Sequence, residues 1–198
     1  MVDKDGLLVT EERVRAAKVR LCDSELSSIL PFLRVSGKAA SALPGALALG
    51  HVVTVLNVAA DVSSALALPY LSLRLMDGGG QELAPLFPSV VSFVEQTRKA
   101  AASTLLKPHT SSSSSSSSMR TPSVLVHCHQ GVSRSGSFGI AVVMWAMGMG
   151  HAAALEFVKS RRSVVSPNTG FLVELMEFEE QLRAMHRVYT PQRAQSAT

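Results

Sequence analysis

Cysteine is scarce in this chain, since only two of its 198 residues are Cys. Two cysteines form at most one disulfide, which excludes the class of small domains held together by several disulfides. Charge is also sparse, at 17% of residues, and 19 Lys and Arg against 15 Asp and Glu leave a formal net charge of +4. The basic residues form no dense run, so we expect no nucleic acid among the partners.

Long uninterrupted hydrophobic runs are missing as well. The uncharged window 39–60 has the length of a bilayer span, but Pro44 interrupts it with a helix breaker and Asn57 with a polar amide. We interpret it as helix, turn and buried strand, and we predict no membrane span. The first residues carry Asp3 and Asp5 where a secretory signal needs a basic start followed by an apolar stretch, so we predict no export.

Apolar residues make up 46% of the chain, which is enough for a hydrophobic core, and the length suits a single domain. Three short apolar or β-branched runs have the character of strands: 52–58, 70–75 and 124–126. Helical spacing of apolar residues marks four segments: 88–102, 138–149, 151–162 and 171–185. Apolar strands separated by helical stretches predict an α/β fold with a mostly parallel sheet.

Two segments lie outside this alternation. Residues 111–118 are eight consecutive serines, within a stretch at about 107–120 that cannot bury enough surface to offset the entropy of ordering it. We therefore interpret it as a flexible surface insertion. Thr10, followed by two glutamates, is a helix N-cap signal and predicts a leading helix outside the main core. The predicted division is an N-terminal extension over 1–24, a globular domain over 25–188 and a disordered tail over 189–198.

The most informative segment is 124–136, VLVHCHQGVSRSG, where an apolar strand leads into Cys128, a five-residue loop, Arg134 and the start of a helix. This arrangement gathers backbone N–H groups into an anion-binding nest at the positive end of a helix dipole. Gly131 provides the positive φ that a curled loop needs. The rigid guanidinium of Arg134 is suited to grip two phosphate oxygens. The segment therefore predicts a site for a tetrahedral dianion.

The same field favours the ionised form of a cysteine at the floor of the loop, so we expect Cys128 to be a thiolate at neutral pH. The alternative is a small buried hydrophobic residue at a strand end, which is the usual environment of a free cysteine. The other thiol, Cys22, is expected to be unpaired, with a disulfide to Cys128 as the minor alternative.

The string HCHQGVSRSG resembles the signature of the cysteine-dependent dual-specificity protein phosphatases, in which His, Cys, five residues, Arg and Ser or Thr form the phosphate loop. Similar stretches follow the family's order over roughly 26–187: PFLRVSGKAAS, VTVLNVAAD, YLSLRLMD, SRRSVVSPNTGF and EFEEQL. The resemblance implies a protein tyrosine phosphatase-like fold, with a central, mostly parallel sheet of about five strands flanked by helices on both faces. It also implies that 25–188 is a catalytic domain.

Several roles come with this resemblance. Cys128 would be the nucleophile that forms a phosphocysteine, and Ser135 would hydrogen-bond its thiolate as it leaves. His127 would orient the loop rather than donate a proton, and Asn168 would support the site while capping the last helix. The phosphate-binding loop would consist of six residues: His129, Gln130, Gly131, Val132, Ser133 and Arg134.

The family also needs a general acid, because an alkoxide or phenoxide leaves slowly without a proton. Asp77 and Asp61 both follow predicted strands, at the edge of an α/β sheet where ligands gather. Asp77 is the better candidate because Phe87 follows ten residues later, the spacing seen in relatives. The glycines at 78–80 beside it predict a mobile loop that closes on the substrate.

The implied function is hydrolysis of phosphotyrosine and phosphoserine or phosphothreonine, so the expected partner is a phosphorylated protein. Two alternatives remain: the same chemistry on a phosphoinositide, a glucan or an RNA 5′ phosphate, and a silent phosphoprotein-binding adaptor. The lack of Lys within residues 129–133 counts against phosphoinositides. The presence of Cys128, Arg134 and Asp77 together counts against the adaptor.

No metal or other cofactor is expected, since no cluster of His, Cys or Asp has ligand spacing. The missing export signal and the need for a reduced thiol favour the cytoplasm, with the nucleus as the alternative. Arg161 and Arg162, after the penultimate helical segment, are interpreted as a solvated helix end rather than as the rim of the site.

Overall fold

A computed structural model of the chain describes residues 10–62, 68–77, 81–105 and 121–189. The serine tract, the C-terminal tail beyond Tyr189 and the glycines at 78–80 lie outside the described residues, so the predictions made for them stay predictions. The helices and strands are, in order, α1 (Glu11–Asp23), β1 (Ser27–Leu30), β2 (Leu33–Ser36), α2 (Lys38–Ser41), α3 (Pro44–Leu49), β3 (Val52–Asn57), β4 (Tyr70–Ser72), α4 (Phe87–Leu105), β5 (Ser123–His127), α5 (Arg134–Met147), α6 (His151–Arg161) and α7 (Thr169–Tyr189).

The strands form one five-stranded sheet in the order β1-β2-β5-β3-β4. Only β1 is antiparallel to its neighbour, and β2, β5, β3 and β4 run parallel to one another. The prediction of a mostly parallel sheet is confirmed. The β1–β2 hairpin was missed because both strands are four residues long and half of their residues are Ser or Arg, which hides the apolar pattern.

Helices cover both faces of the sheet, as predicted, but unequally. The larger core lies against α4, α5, α6 and α7, and it contains the rings of Phe87, Phe138 and Phe178. The Phe87 centroid is 5.4 Å from that of Phe138 and 5.2 Å from that of Phe178. A smaller core around Leu47 and Leu125 lies on the opposite face, next to α3. The two cores together bury the central strands on both sides.

The centre of the sheet sets the position of the candidate site. All five residues of β5 are buried between β2 and β3, and its last residue, His127, is in register with Ser36 of β2 and Asn57 of β3. The carboxyl ends of three parallel strands therefore meet at one edge, where ligands bind in α/β folds. By contrast, the predicted strand 70–75 is shorter: only Tyr70–Ser72 pairs with β3, and it is an exposed edge strand.

The predicted helix caps are present. The Thr10 hydroxyl accepts a hydrogen bond from Arg13 N at 3.2 Å at the start of α1, and Asn168 Oδ1 accepts from Phe171 N at 2.9 Å at the start of α7. None of the side chains of α1 is buried, in agreement with a helix outside the core. Among the described residues no single helix is long and apolar enough to cross a membrane, and α5 with α6 meets that test only as a pair bent by 115°.

Candidate active site

The loop 128–133 joins the central strand β5 to α5 and curls around one sulfur atom. Cys128 Sγ is buried, with the residue 1% exposed, and it accepts a hydrogen bond from Gly131 N at 3.2 Å. The hydroxyl of Ser135, in the first turn of α5, lies 3.2 Å from the same sulfur. A backbone N–H, a hydroxyl and the N-terminus of a 14-residue helix therefore lie around the sulfur of Cys128.

Gly131 shows why this loop needs a glycine. Its φ is +70°, as predicted, a conformation that side chains rarely tolerate. An added Cβ would also lie 2.5 Å from the carbonyl carbon of Ser36, closer than any real contact. The tight approach to β2 lets the Gly131 N–H point at Cys128 Sγ.

Arg134 is buried at the other end of the loop, with 5% of the residue exposed. Its Nη1 donates to the carbonyl oxygen of Leu75 at 2.8 Å and to Asp61 Oδ1 at 3.1 Å, and these bonds hold the plane of the guanidinium. Its Nε has no hydrogen-bond partner among the described residues, although Asp77 Oδ2 is 3.5 Å away. A buried cationic donor without an acceptor is expensive, and an anion oxygen would satisfy it.

Two carboxylates, Asp61 and Asp77, lie beside Arg134, so the structure brings both candidate acids to the site. Burial acts to raise the pKa of Asp61, but hydrogen bonds from Arg134 and from the backbone outweigh it and hold that pKa below its ordinary value. Asp77 has a looser contact with Arg134 and accepts a hydrogen bond from Asn168 Nδ2 at 3.4 Å. Asn168 therefore both caps α7 and contacts Asp77, a link that the sequence alone did not reveal.

His127 is fully buried at the end of β5. Its Nδ1 is 3.3 Å from the carbonyl oxygen of Cys128, and its Nε2 has no partner among the described residues. Burial lowers the pKa of the imidazole, so the ring is neutral at neutral pH. A buried neutral ring against the loop backbone fits the predicted orienting role better than proton donation.

The other loop residues hold the loop against neighbouring elements. The carbonyl oxygen of His129 accepts from Lys38 N at 2.9 Å, and the Lys38 ammonium is 2.9 Å from the His129 ring. Val132 O accepts from Ser166 N at 3.0 Å, and the Ser133 hydroxyl accepts from Asn168 N at 3.4 Å. Lys38, on α2, brings a cation to the loop that no pattern within residues 129–133 indicates.

Arg162 corrects a sequence-based expectation. Only 2% of it is exposed, and its guanidinium binds the underside of the phosphate loop. Its Nε donates to Gly131 O at 2.8 Å, and its Nη2 donates to Gln130 O at 3.1 Å. The interpretation as a solvated helix end was wrong for Arg162, because the loop carbonyls turn away from the anion and need a donor on this side. It holds for Arg161, which is exposed and stacks on Phe157 at 3.6 Å.

The same guanidinium ties the loop to the N-terminal part of the chain. Arg162 Nη1 donates to Cys22 O at 3.0 Å and to Ser27 Oγ at 3.1 Å. The end of α1 is thereby fixed next to the loop, and Asp23 Oδ1 accepts from Ala39 N at 3.4 Å. Cys22 and Cys128 are both free, and burial followed by the neighbouring Glu25 raises the pKa of the Cys22 thiol.

We expect Arg162→Met to lower the free energy of unfolding by about 3 kcal/mol, because buried carbonyl oxygens lose a charged donor. The kcat/KM for a small aryl phosphate should also fall by about tenfold or more, since the loop loses its support. Urea unfolding followed by circular dichroism, together with steady-state kinetics, measures both effects. Arg161→Met is the matched control, and equal effects of the two substitutions would contradict the assigned role.

Nothing in the described part of the chain groups three or more His, Cys, Asp or Glu residues in a way that could hold a metal ion. The polar groups around Cys128 are instead N–H, hydroxyl and guanidinium donors, which recognise an anion. In chemical terms the site combines a nucleophilic sulfur, a cationic anion clamp and two carboxylates.

Comparison with known proteins agrees with this chemistry. The family model described as the dual specificity phosphatase catalytic domain matches residues 114–181. The chain is 32% identical over 160 residues to the dual specificity protein phosphatase Mpk3 of Drosophila melanogaster, a match that covers 78% of this chain and 34% of that protein. Dual specificity protein phosphatase 5 of Rattus norvegicus is 30% identical over 156 residues, covering 78% of this chain and 35% of the relative.

A solved structure shows the same architecture. The crystal structure of a variant of human DUSP28 superposes with a TM-score of 0.66 at 25% identity, covering 81% of this chain and 97% of that one. The chain spans about a third of the length of the two relatives described above, but almost the full length of this structure.

Proposed function

Because the chain belongs to the family of proteins that carry a dual-specificity phosphatase catalytic domain, we propose that it hydrolyses phosphate monoesters of tyrosine and of serine or threonine in proteins. The observation that carries the proposal is the environment of Cys128, whose buried sulfur faces the Gly131 N–H and the Ser135 hydroxyl, with the Arg134 guanidinium at the other end of the loop. The proposed catalytic domain spans residues 25–188, and the proposed location is the cytoplasm.

In the first step the Cys128 thiolate attacks phosphorus in line with the ester oxygen. The S–P bond forms and the P–O bond to the substrate breaks, leaving a phosphocysteine. The loop N–H groups and the Nε of Arg134, which has no hydrogen-bond partner among the described residues, bind the equatorial oxygens, where negative charge is concentrated in the transition state. Arg162 acts from below the loop, because it holds the Gly131 and Gln130 carbonyls turned away from the phosphate.

Asp77 is the proposed acid that gives its proton to the leaving oxygen. Two carboxylates share the Arg134 guanidinium, at distances of 3.1 Å for Asp61 and 3.5 Å for Asp77. Asp61 is held ionised by its hydrogen bond from Arg134, which leaves Asp77 as the proton carrier. The Asn168 amide keeps the Asp77 carboxyl near the site.

The second step reverses these roles. The Asp77 carboxylate takes a proton from water, the water oxygen bonds to phosphorus, and the S–P bond breaks. The Ser135 hydroxyl, 3.2 Å from the sulfur, donates a hydrogen bond to the thiolate that leaves. Inorganic phosphate and the free Cys128 thiolate are the products.

Phosphoinositides remain the competing substrate class. Residues 129–133 contain no lysine, but in the folded protein Lys38 reaches His129 from α2 and brings a cation to the loop. A substrate panel therefore decides the class: phosphotyrosine peptides, phosphothreonine peptides and a phosphoinositide in mixed micelles, each compared by kcat/KM. We expect the peptides to be hydrolysed faster, with a phosphocysteine at Cys128 trapped by acid quench and detected by mass spectrometry. Absence of the adduct during turnover would contradict the mechanism.

A further inference from the structure

A groove of about 920 Å³ leads away from the candidate active site, between the segment that precedes α4 and the first half of α7. At its inner end lie Asp77 and Asn168, which contact each other through Oδ1 and Nδ2. Asp77 is also 3.5 Å from Arg134 Nε. The groove therefore begins beside Arg134, next to the place where a phosphorylated side chain would bind.

The groove is lined by carboxylates and, among its described residues, by no Lys or Arg. Besides Asp77, the acidic side chains are Glu82, Glu174 and Glu177. Glu174 accepts hydrogen bonds from the backbone N–H groups of Leu83 and Ala84, which fixes its position in the wall. This concentration of negative charge contrasts with the net charge of +4 for the whole chain.

Glu82 and Glu177 are the two carboxylates left for a ligand. Both are exposed, and neither forms an ion pair with another residue in the described part of the chain. By comparison, Glu179 and Glu180 on the same helix are paired with Arg183. Two unpaired carboxylates along one groove attract a cationic partner.

The floor of the groove is apolar. Pro85 and Pro88 are exposed there, and Val173 is 50% exposed. Arginine and lysine side chains match such a surface, because their aliphatic stems lie along apolar groups while the charged end reaches a carboxylate at the edge. An acidic peptide or an anionic lipid surface would meet repulsion instead.

We propose that this groove binds the substrate segment flanking the phosphorylated residue and selects segments that carry arginine or lysine. The inference rests on the proposed phosphatase function and names its substrate class: phosphoproteins in which the phosphorylated residue has basic neighbours. The inner end of the groove is marked by Asn168 and Thr169, and Glu177 is eight residues beyond Thr169 along α7, or about 12 Å from that end. An extended chain advances about 3.3 Å per residue, so the selected cation lies about three or four residues from the phosphorylated one.

The test compares two phosphopeptides that differ only in charge, with Arg or with Glu at the third and fourth positions from the phosphorylated residue. The two charged residues are placed either before or after the phosphorylated residue, so that both directions along the peptide are tested. We expect the wild type to prefer the Arg peptide by about three- to tenfold in kcat/KM, and this preference should shrink as salt is raised. Taking the ratio of two peptides on one preparation cancels any change in general activity.

Charge reversal supplies the decisive variant. In the double variant Glu82→Lys with Glu177→Lys, the preference should disappear or turn toward the Glu peptide. The matched control is Glu156→Lys with Glu180→Lys, which makes the same change in net charge at exposed positions outside the groove and should keep the wild-type ratio. Equal kcat/KM values for the two peptides in the wild type, or the same shift in both double variants, would overturn the proposal.

Binding measurements separate this proposal from the proposed function. The affinity of a fluorescently labelled peptide for the Cys128→Ser variant does not depend on turnover. A preference for the Arg peptide in Kd, without hydrolysis of any phosphate ester by the wild type, would support the groove and overturn the phosphatase. Hydrolysis of aryl phosphate without any peptide preference would do the reverse. Tighter binding of vesicles that contain a phosphoinositide than of either peptide would overturn the groove assignment.

Discussion

Replacing Cys128 with serine is expected to abolish turnover of a small aryl phosphate, with kcat reduced by at least about 10⁴-fold. The sulfur is the atom toward which the loop directs its donors, and a serine hydroxyl at the same place stays protonated at neutral pH and attacks poorly. Arg134 and the loop N–H groups remain, so a phosphopeptide should still bind. Kinetics and fluorescence anisotropy measure the two properties separately.

Cys22→Ser is the matched control for this substitution. Cys22 is free. Its hydrogen bond with Arg162, which supports the phosphate loop, is accepted by its backbone carbonyl oxygen and not by its sulfur. Turnover should therefore remain within about twofold of the wild type, the range of a change of ±0.5 kcal/mol. If Cys128→Ser kept normal turnover, or if Cys22→Ser lost it, the assignment of the nucleophile would be wrong.

Asp77→Ala is expected to reduce kcat for substrates with poor leaving groups by about 10² to 10⁴-fold. The leaving groups of alkyl phosphates and phosphothreonine peptides are strongly basic alkoxides that need the proton. The nitrophenolate of a nitrophenyl phosphate leaves without much help. The loss should therefore grow with the basicity of the leaving group. Rates over a series of aryl and alkyl phosphates give this dependence directly.

The same series with Asp61→Ala tests the competing assignment. The carboxylate of Asp61 supports the Arg134 guanidinium through a 3.1 Å hydrogen bond, so its removal should slow all substrates by a similar factor. A loss that increases with leaving-group basicity in Asp61→Ala, but not in Asp77→Ala, would show that Asp61 is the acid. For each variant, the dependence of the rate loss on leaving-group basicity therefore shows which carboxylate is the acid, without reference to absolute rates.

The proposed groove and the phosphate loop place opposite charges close together. Arg134 and the helix terminus attract the phosphate, while Glu82 and Glu177 attract cations about three or four residues away along an extended substrate. A substrate that carries only the phosphate or only the cation is bound by only one of these two parts of the site. Specificity would then arise from the combination, because each exposed charge pair contributes little by itself.

The geometry of the loop was predictable because it is local. A buried strand, a glycine with positive φ, an arginine and a helix start follow one another within 124–136, so the anion-binding geometry is encoded in consecutive residues. The cap of α7 by Asn168 is local in the same sense, as is the α/β alternation of apolar runs and helical spacing. Each feature depends on neighbours in the chain and can be seen without knowing the fold.

Contacts between distant segments are a different matter, and only the tertiary structure decided them. Arg162 is buried because Gly131, Gln130, Cys22 and Ser27 bring acceptors to one point from two separate parts of the chain. Helical periodicity predicts that a residue lies at a helix end, but it does not predict which distant carbonyl oxygens accept hydrogen bonds from that residue. For the same reason the approach of Lys38 and the acidic groove appear only once the chain is folded. The β1–β2 hairpin is local, but its short strands rich in Ser and Arg hide the apolar pattern.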